Sequence, residues 1–184
     1  MGKTYDRIDD TLSAFIARQK MFFVATAPRG DGGHVNVSPK GYDAFRILSP
    51  TRVAYVDIGG SGVETVAHIR ENGRVTIMFC AFEGAAMILR LYGAGSVLQF
   101  DEPGFADELR RFPGIERARN IVFVDVERIA DSCGWGVPFY EFKGERDQLK
   151  RWAENRPFDE WAERRYASNS ESIDGLPGLV RPQL

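Results

Sequence analysis

The sequence predicts a mainly β chain with flanking helices (α+β), folded as a mostly antiparallel barrel with the helices packed on its outside. Three observations predict it. The helical runs do not alternate with the apolar β runs, as a parallel βαβ sheet requires. Two long apolar runs, RVTIMFCAF (74–82) and AMILRLYGAGSVLQF (86–100), follow each other closely, and Gly93 and Gly95 interrupt the second as a bulge or barrel corner would. Pro39 ends an alternating run, and a residue without an amide hydrogen belongs on an edge strand or at a bulge.

The elements read in order as follows. Ile8, Leu12, Phe15 and Ile16 stand at helical spacing within residues 8–19. MFFVATA (21–27) is short and apolar enough for a buried strand, and RGDGG (29–33) is a turn. In HVNVSPKG (34–41), Val35 and Val37 share one face while His34, Asn36 and Ser38 share the other. AFRIL and TRVAYVDI are two more strands. Residues 62–72 read as a helix stopped by Asn72-Gly73. After the two long strands come a helix near 102–111, the strand NIVFVDVERI (120–129), and a helix over 144–166 carrying Trp152 and Trp161 on its packed side. SNSESIDGLPGLV (168–180) reads as an irregular arm. With no repeat, low-complexity stretch or linker to divide it, the chain is expected to form a single domain over 1–184, with its core over about 10–140 and a C-terminal helix and arm over 144–184.

Composition narrows the function classes. Lys plus Arg number 24 against 26 Asp plus Glu, so the net charge of −2 offers no basic surface for nucleic acid. Apolar runs fall short of a membrane span. The start, MGKTYDRIDD, has no apolar signal core, and Asp6 stands where a myristoylation signal wants Ser or Thr. Cys80 and Cys133 are far apart, Cys80 within an apolar run that buries it, so no disulfide framework is expected. Two histidines, His34 and His68, are too few for a multi-ligand zinc site, and no metal site is assigned. A cytoplasmic protein is expected from these features.

VDIGGSGVETVAHIRENGR (56–74) is the stretch with chemistry in it. A strand runs into a glycine cluster and a helix starts at once. A helix beginning near Gly62 leaves its first amides unpaired, and those donors with the helix dipole favour an anion. Ser61 can cap the helix or offer its hydroxyl to a phosphate, and Thr65 lies one turn on. Asp57 can cap the turn through its side chain. The familiar phosphate loops are excluded: Thr65 stands where a dinucleotide fingerprint needs its last glycine, and Glu64-Thr65 is not the Lys-Ser/Thr of a P-loop. The same stretch also fits an ordinary strand–turn–helix joint that binds nothing.

The wider order of motifs bears on this choice. Asn36-Val-Ser-Pro-Lys-Gly41, a strand ending Val56-Asp57, Gly60-Ser-Gly-Val-Glu-Thr65, Glu71-Asn-Gly-Arg74 before a strand, and Arg90-Leu-Tyr-Gly93 together resemble the pyridoxamine 5′-phosphate oxidase-related FMN-binding family. Ser132-Cys-Gly-Trp-Gly-Val-Pro138 and Ser172-Ile-Asp-Gly-Leu-Pro177 resemble a subgroup of its bacterial members. The resemblance implies a split antiparallel β-barrel of FMN-binding type and a homodimer with FMN in the cleft between subunits. It implies that the flavin phosphate sits near Ser61, Gly62, Val63, Glu64 and Thr65, and that Lys40, on the strand with Asn36, Val37 and Ser38, reaches the flavin. It implies that the backbone of Tyr55, Val56 and Asp57 lies along the flavin, that Arg90 holds the place of a basic residue near it, and that Trp135 covers it from the partner chain. Where pyridoxamine phosphate oxidases proper carry an Arg-Lys pair, this chain has Glu64 and Thr65.

Several residues keep two readings. Arg90 is either a barrel-surface arginine or a site-facing one. Trp135, between two glycines, is either a dimer anchor or a flavin lid. His68, four residues after Glu64, reads as one half of a solvent-exposed i,i+4 pair, and His34 carries no assigned role. The expected function is an FMN-binding oxidoreductase taking electrons from a reduced nicotinamide or small organic substrate, with catalytic residues unassigned. The alternatives are a non-enzymatic FMN carrier, or a haem- or F420-binding protein on the same fold.

Overall fold

The computed structural model describes residues 2–182, so residue 1 and residues 183–184 of the predicted 1–184 span lie outside it. The chain orders as β1 (Thr4–Tyr5), α1 (Asp10–Arg18), β2 (Phe22–Thr26), β3 (Asn36–Lys40), β4 (Phe45–Ser49), β5 (Arg52–Asp57), α2 (Glu64–Asn72), β6 (Arg74–Cys80), β7 (Ile88–Gln99), α3 (Phe105–Leu109), β8 (Asn120–Ser132), α4 (Gln148–Glu154) and α5 (Phe158–Ser168). The strands form one antiparallel sheet in the order β3-β2-β6-β7-β8-β5-β4, with β1 pairing on β8. β3 is an edge strand, which is where Pro39 can be tolerated. The β7–β8 register shifts between Tyr92 and Gly93, so the predicted glycine interruption is a bulge. A side chain on Gly93 would meet the Asp125 carbonyl oxygen at 2.1 Å.

The fold is an antiparallel split barrel. The sheet curls without closing through hydrogen bonds, and side chains bridge the gap instead. Phe22 on β2 stacks edge-on against Phe45 on β4, with centroids 5.2 Å apart, and meets Tyr55 on β5 at 5.6 Å. Such aromatic pairs contribute about 0.5–1.5 kcal/mol each beyond their buried area. Val24, Val53, Ile77, Leu89, Leu91, Ile121 and Val124 fill the interior, all wholly buried.

The first helix follows its sequence signals: Asp9 caps α1 by accepting from the Leu12 amide at 2.8 Å, and Leu12, Phe15 and Ile16 face the core. α2 ends as predicted, with Gly73 at φ 73°. Its start differs. The helix begins at Glu64, not near Gly62, and its N-cap is Val63 with no side-chain cap, so Ser61 does not cap it. The single helix expected over 144–166 is two helices, α4 and α5, because Pro157 cannot continue a helix from Asn155 and also restricts Arg156 before it. Trp161 packs α5 onto the barrel as expected: it is wholly buried and its ring lies 5.0 Å from that of Phe100. The short β1 was not anticipated, since two residues carry no periodic signal.

Candidate functional site

Strand alternation sets the first wall of the site. Asn36, Ser38 and Lys40 turn the same half-buried face of β3 inward, while Val37 and Pro39 face solvent. Their partners on β2 are Thr26, Val24 and Phe22, so this face continues that of the barrel interior. The Asn36 amide donates to Thr65 Oγ1 at 2.9 Å, tying β3 to the first turn of α2. Thr26 Oγ1 lies 2.9 Å from His68 Nδ1 and 3.5 Å from the Asn36 amide. His68 is therefore a wholly buried member of a polar cluster, not the exposed partner of Glu64. Burial pushes its pKa below the usual histidine value, against the pull of Asp174, Glu64 and Glu71.

The end of β5 sets the second wall. Asp57 is buried, pairs with Arg119 at 2.8 Å and Lys40 at 3.6 Å, and accepts from the Gly59 amide at 2.9 Å. Burial alone would raise its pKa; the Arg119 and Lys40 charges and the Gly59 amide outweigh that and hold the carboxyl well below its usual range. Asp57 thus caps the turn, one of the two roles its position allowed.

The loop between β5 and α2 has an orientation the sequence did not reveal. The Gly60 carbonyl accepts from Arg165 Nη1 at 2.8 Å, the Ser61 carbonyl from the Asn169 amide at 3.2 Å, and the Gly62 carbonyl from Arg119 Nη1 at 2.6 Å. All three carbonyls are drawn toward α5 and Arg119. In a trans peptide the next amide points the opposite way, so the N–H groups of Ser61, Gly62 and Val63 point away from those partners. None of the amides of residues 60–65 has a hydrogen-bond partner among the described residues. A run of outward amides at a helix start favours an electronegative ligand. Gly59 adopts φ 108°, a conformation that favours glycine, and it sits against Arg165.

The charges around that loop are mixed. Arg119 and Arg165 are buried and bound to carbonyls, and Lys40 is held by Asp57. The Glu64 carboxylate lies against Gly62, where an added side-chain carbon would stand 2.2 Å from Oε2. Its Oε1 accepts from the Ile173 amide at 3.4 Å. The C-terminal arm crosses here: Asp174 holds His34 through its backbone amide at 2.8 Å and Nδ1 at 2.6 Å, and Gly178 packs on Val63. Ser38 Oγ, Tyr55 OH and His68 Nε2 are buried without partners among the described residues.

The structure brings together Asn36, Ser38, Lys40, Tyr55, Asp57 and the loop from Ser61 to Thr65. Val56 is buried beside them, donating its amide to the Ala44 carbonyl, and Val37 faces outward at 60% exposure. Arg90 does not join them: it faces away from buried Leu89 and Leu91 and donates to Ser132 Oγ at 3.1 Å. Trp135 is also apart, 85% exposed in the loop after β8. Arg119, Arg165 and Asn169 went unread. They lie 57, 105 and 108 residues from the carbonyls they hold, and nothing local marks an arginine before a strand or within a helix as a loop ligand.

Comparison with known proteins agrees with this architecture. The sequence model of the family described as "Pyridoxamine 5′-phosphate oxidase" matches residues 8–146. The chain is 41% identical over 192 aligned positions to the pyridoxamine 5′-phosphate oxidase family protein ustO of Aspergillus flavus, covering 95% of this chain and 77% of that protein. Among solved structures, HupZ of Group A Streptococcus superposes with TM-score 0.55 at 20% identity, covering 73% of this chain and 99% of that one. A variant of the same protein gives 0.56 at 22%, covering 68% and 99%.

Proposed function

The chain belongs to the pyridoxamine 5′-phosphate oxidase family, and from that premise we propose that it binds FMN between two copies of itself and acts as a flavin-dependent oxidoreductase. The observation that carries this reading is the loop of residues 60–65, whose carbonyls are tied back so that its amides face outward beside Asn36, Lys40 and Thr65. The residues fit a flavin in kind. Outward amides suit the oxygens of the flavin's side chain, and the polar inner face of β3, with Asn36, Ser38 and Lys40 half-buried, suits a ring edge that both donates and accepts.

When bound, the flavin supplies the redox chemistry. The chain's own residues bind and orient. Arg165, Asn169 and Arg119 fix the loop, Asp57 fixes Lys40 at the end of β3, and Asn36 aligns Thr65 with the loop. Residues 1–184 make one domain in this reading. The second copy covers the exposed apolar surface at β3 and on the loop after β8: Val37 on β3 and Val35 just before it, Trp135 and Phe139 on the loop. Arg90 and Trp135, remote from the loop within one chain, are then contributed across the interface. The free Cys80 and Cys133 suit a reducing cytoplasm, and no helix among the described residues is long and apolar enough to cross a membrane. Glu64 and Thr65 stand in place of the Arg-Lys pair expected of an enzyme that oxidises pyridoxamine phosphate, so the substrate is another small molecule or a reduced nicotinamide.

The test is an FMN difference spectrum recorded as the full chain is titrated in. A shift and sharpening of the flavin bands, saturating at one flavin per chain, is expected. An unchanged FMN spectrum at about 100 μM protein, a concentration that would populate even weak specific complexes, would overturn the reading.

A further inference from the structure

The loop that faces the ligand carries a negative charge of its own. Glu64 opens α2, and its carboxylate lies against Gly62, with Oε2 2.2 Å and Oε1 3.4 Å from where a side-chain carbon on Gly62 would stand. It is held there by the arm, through the Ile173 amide at 3.4 Å. No cation among the described residues is recorded in an ion pair with Glu64. The nearby positive groups are engaged elsewhere: Lys40 by Asp57, Arg119 by Asp57 and the Gly62 carbonyl, and Arg165 by the Gly60 carbonyl. The arm adds Asp174, paired with His34. The cluster beneath is still short of partners. Among the described residues His68 Nε2 and Tyr55 OH are buried without partners.

A phosphate monoester carries nearly two negative charges at neutral pH, and a fixed carboxylate beside it disfavours binding unless a cation intervenes. A ribityl hydroxyl gains the same amide and hydroxyl contacts without that repulsion. We propose that Glu64 is a charge-selecting residue, so that this site accepts the unphosphorylated flavin, riboflavin, at least as well as FMN. This rests on the flavin reading of the site and specifies which end of the flavin the chain tolerates poorly.

The experiment titrates riboflavin and FMN separately with the full chain, following quenching of flavin fluorescence, for the native protein and for Glu64→Gln. Gln keeps the shape and can still accept from Ile173, so it removes the charge alone. The native chain is expected to bind riboflavin as tightly as FMN or more so. Glu64→Gln is expected to tighten FMN about tenfold while riboflavin changes less than about twofold, the pattern of one lost charge–charge repulsion. A Glu64→Lys chain should push the preference further toward FMN. Native binding that favours FMN over riboflavin, or an FMN affinity indifferent to Glu64→Gln, would overturn the proposal and leave the flavin reading standing. Failure of both flavins to bind either folded chain would overturn the two together.

Discussion

At the scale of single residues, the buried Asp57–Arg119 pair decides most. Both side chains are about 95% buried, and Arg119 also holds the Gly62 carbonyl. Removing one partner of such a pair leaves an uncompensated charge, at a cost of about 3–5 kcal/mol. Arg119→Met should therefore lower unfolding free energy by that order in urea titration and weaken flavin binding as the loop loosens; a loss under about 1 kcal/mol would show the pair to be incidental. The pH dependence has a defined sign. His68 is held below its ordinary value of 6.5, so the folded chain binds fewer protons there than the unfolded one. Its contribution is present above pH 6.5 and is lost as pH falls through the window below. Asp57 behaves alike in the acid range, its contribution present above the ordinary carboxylate pKa and lost toward its lower folded value. Urea midpoints should thus fall as pH drops below 6.5, and His68→Gln should remove that part of the slope. The sequence showed Asp57's capping because Asp before glycines acts within two residues. It misplaced His68, because spacing from Glu64 says nothing of Thr26, 42 residues away, which draws the ring inside.

At the scale of elements, the C-terminal arm is the least legible part and the most tightly tethered. Gln99, buried at the end of β7, clasps Val180 through both its amide nitrogen at 2.7 Å and its oxygen at 3.0 Å. Arg70 donates to that same oxygen and to the Gly178 carbonyl, and Leu179 is buried. Gln99→Leu should free the arm while leaving the sheet intact: cleavage within 170–182 by a low dose of protease should speed up about tenfold or more, as expected for a locally opened segment, with an unchanged circular dichroism spectrum. Equal cleavage rates would show that Arg70 and Leu179 suffice. The strands, the edge position of Pro39, the Gly73 stop and the Gly93 bulge were readable because each follows from local backbone rules. The break at Pro157 was readable too, but the apolar spacing of Trp152 and Trp161 obscured it. The arm's path was not, since its polar tether, Gln99, sits in an apolar strand.

At the scale of the whole molecule, the order of strands and glycine turns was legible as a family pattern, and the fold follows it. How the sheet curls was not, because it depends on the Phe22, Phe45 and Tyr55 rings meeting across the split. Exposed Val37, on an edge strand with a free side, and Val35 just before that strand form the surface that a second copy would cover in the proposed dimer. Val37→Glu should shift the chain to monomers in sedimentation while its circular dichroism stays native. Flavin binding by a dimer is measured most directly by sedimentation velocity of the chain with added flavin, recorded at the flavin's own absorbance band. Flavin is expected to move with a species of about 41 kDa, twice the 20.7 kDa chain. Flavin that stays behind as free ligand, or that travels with a single chain, would contradict it.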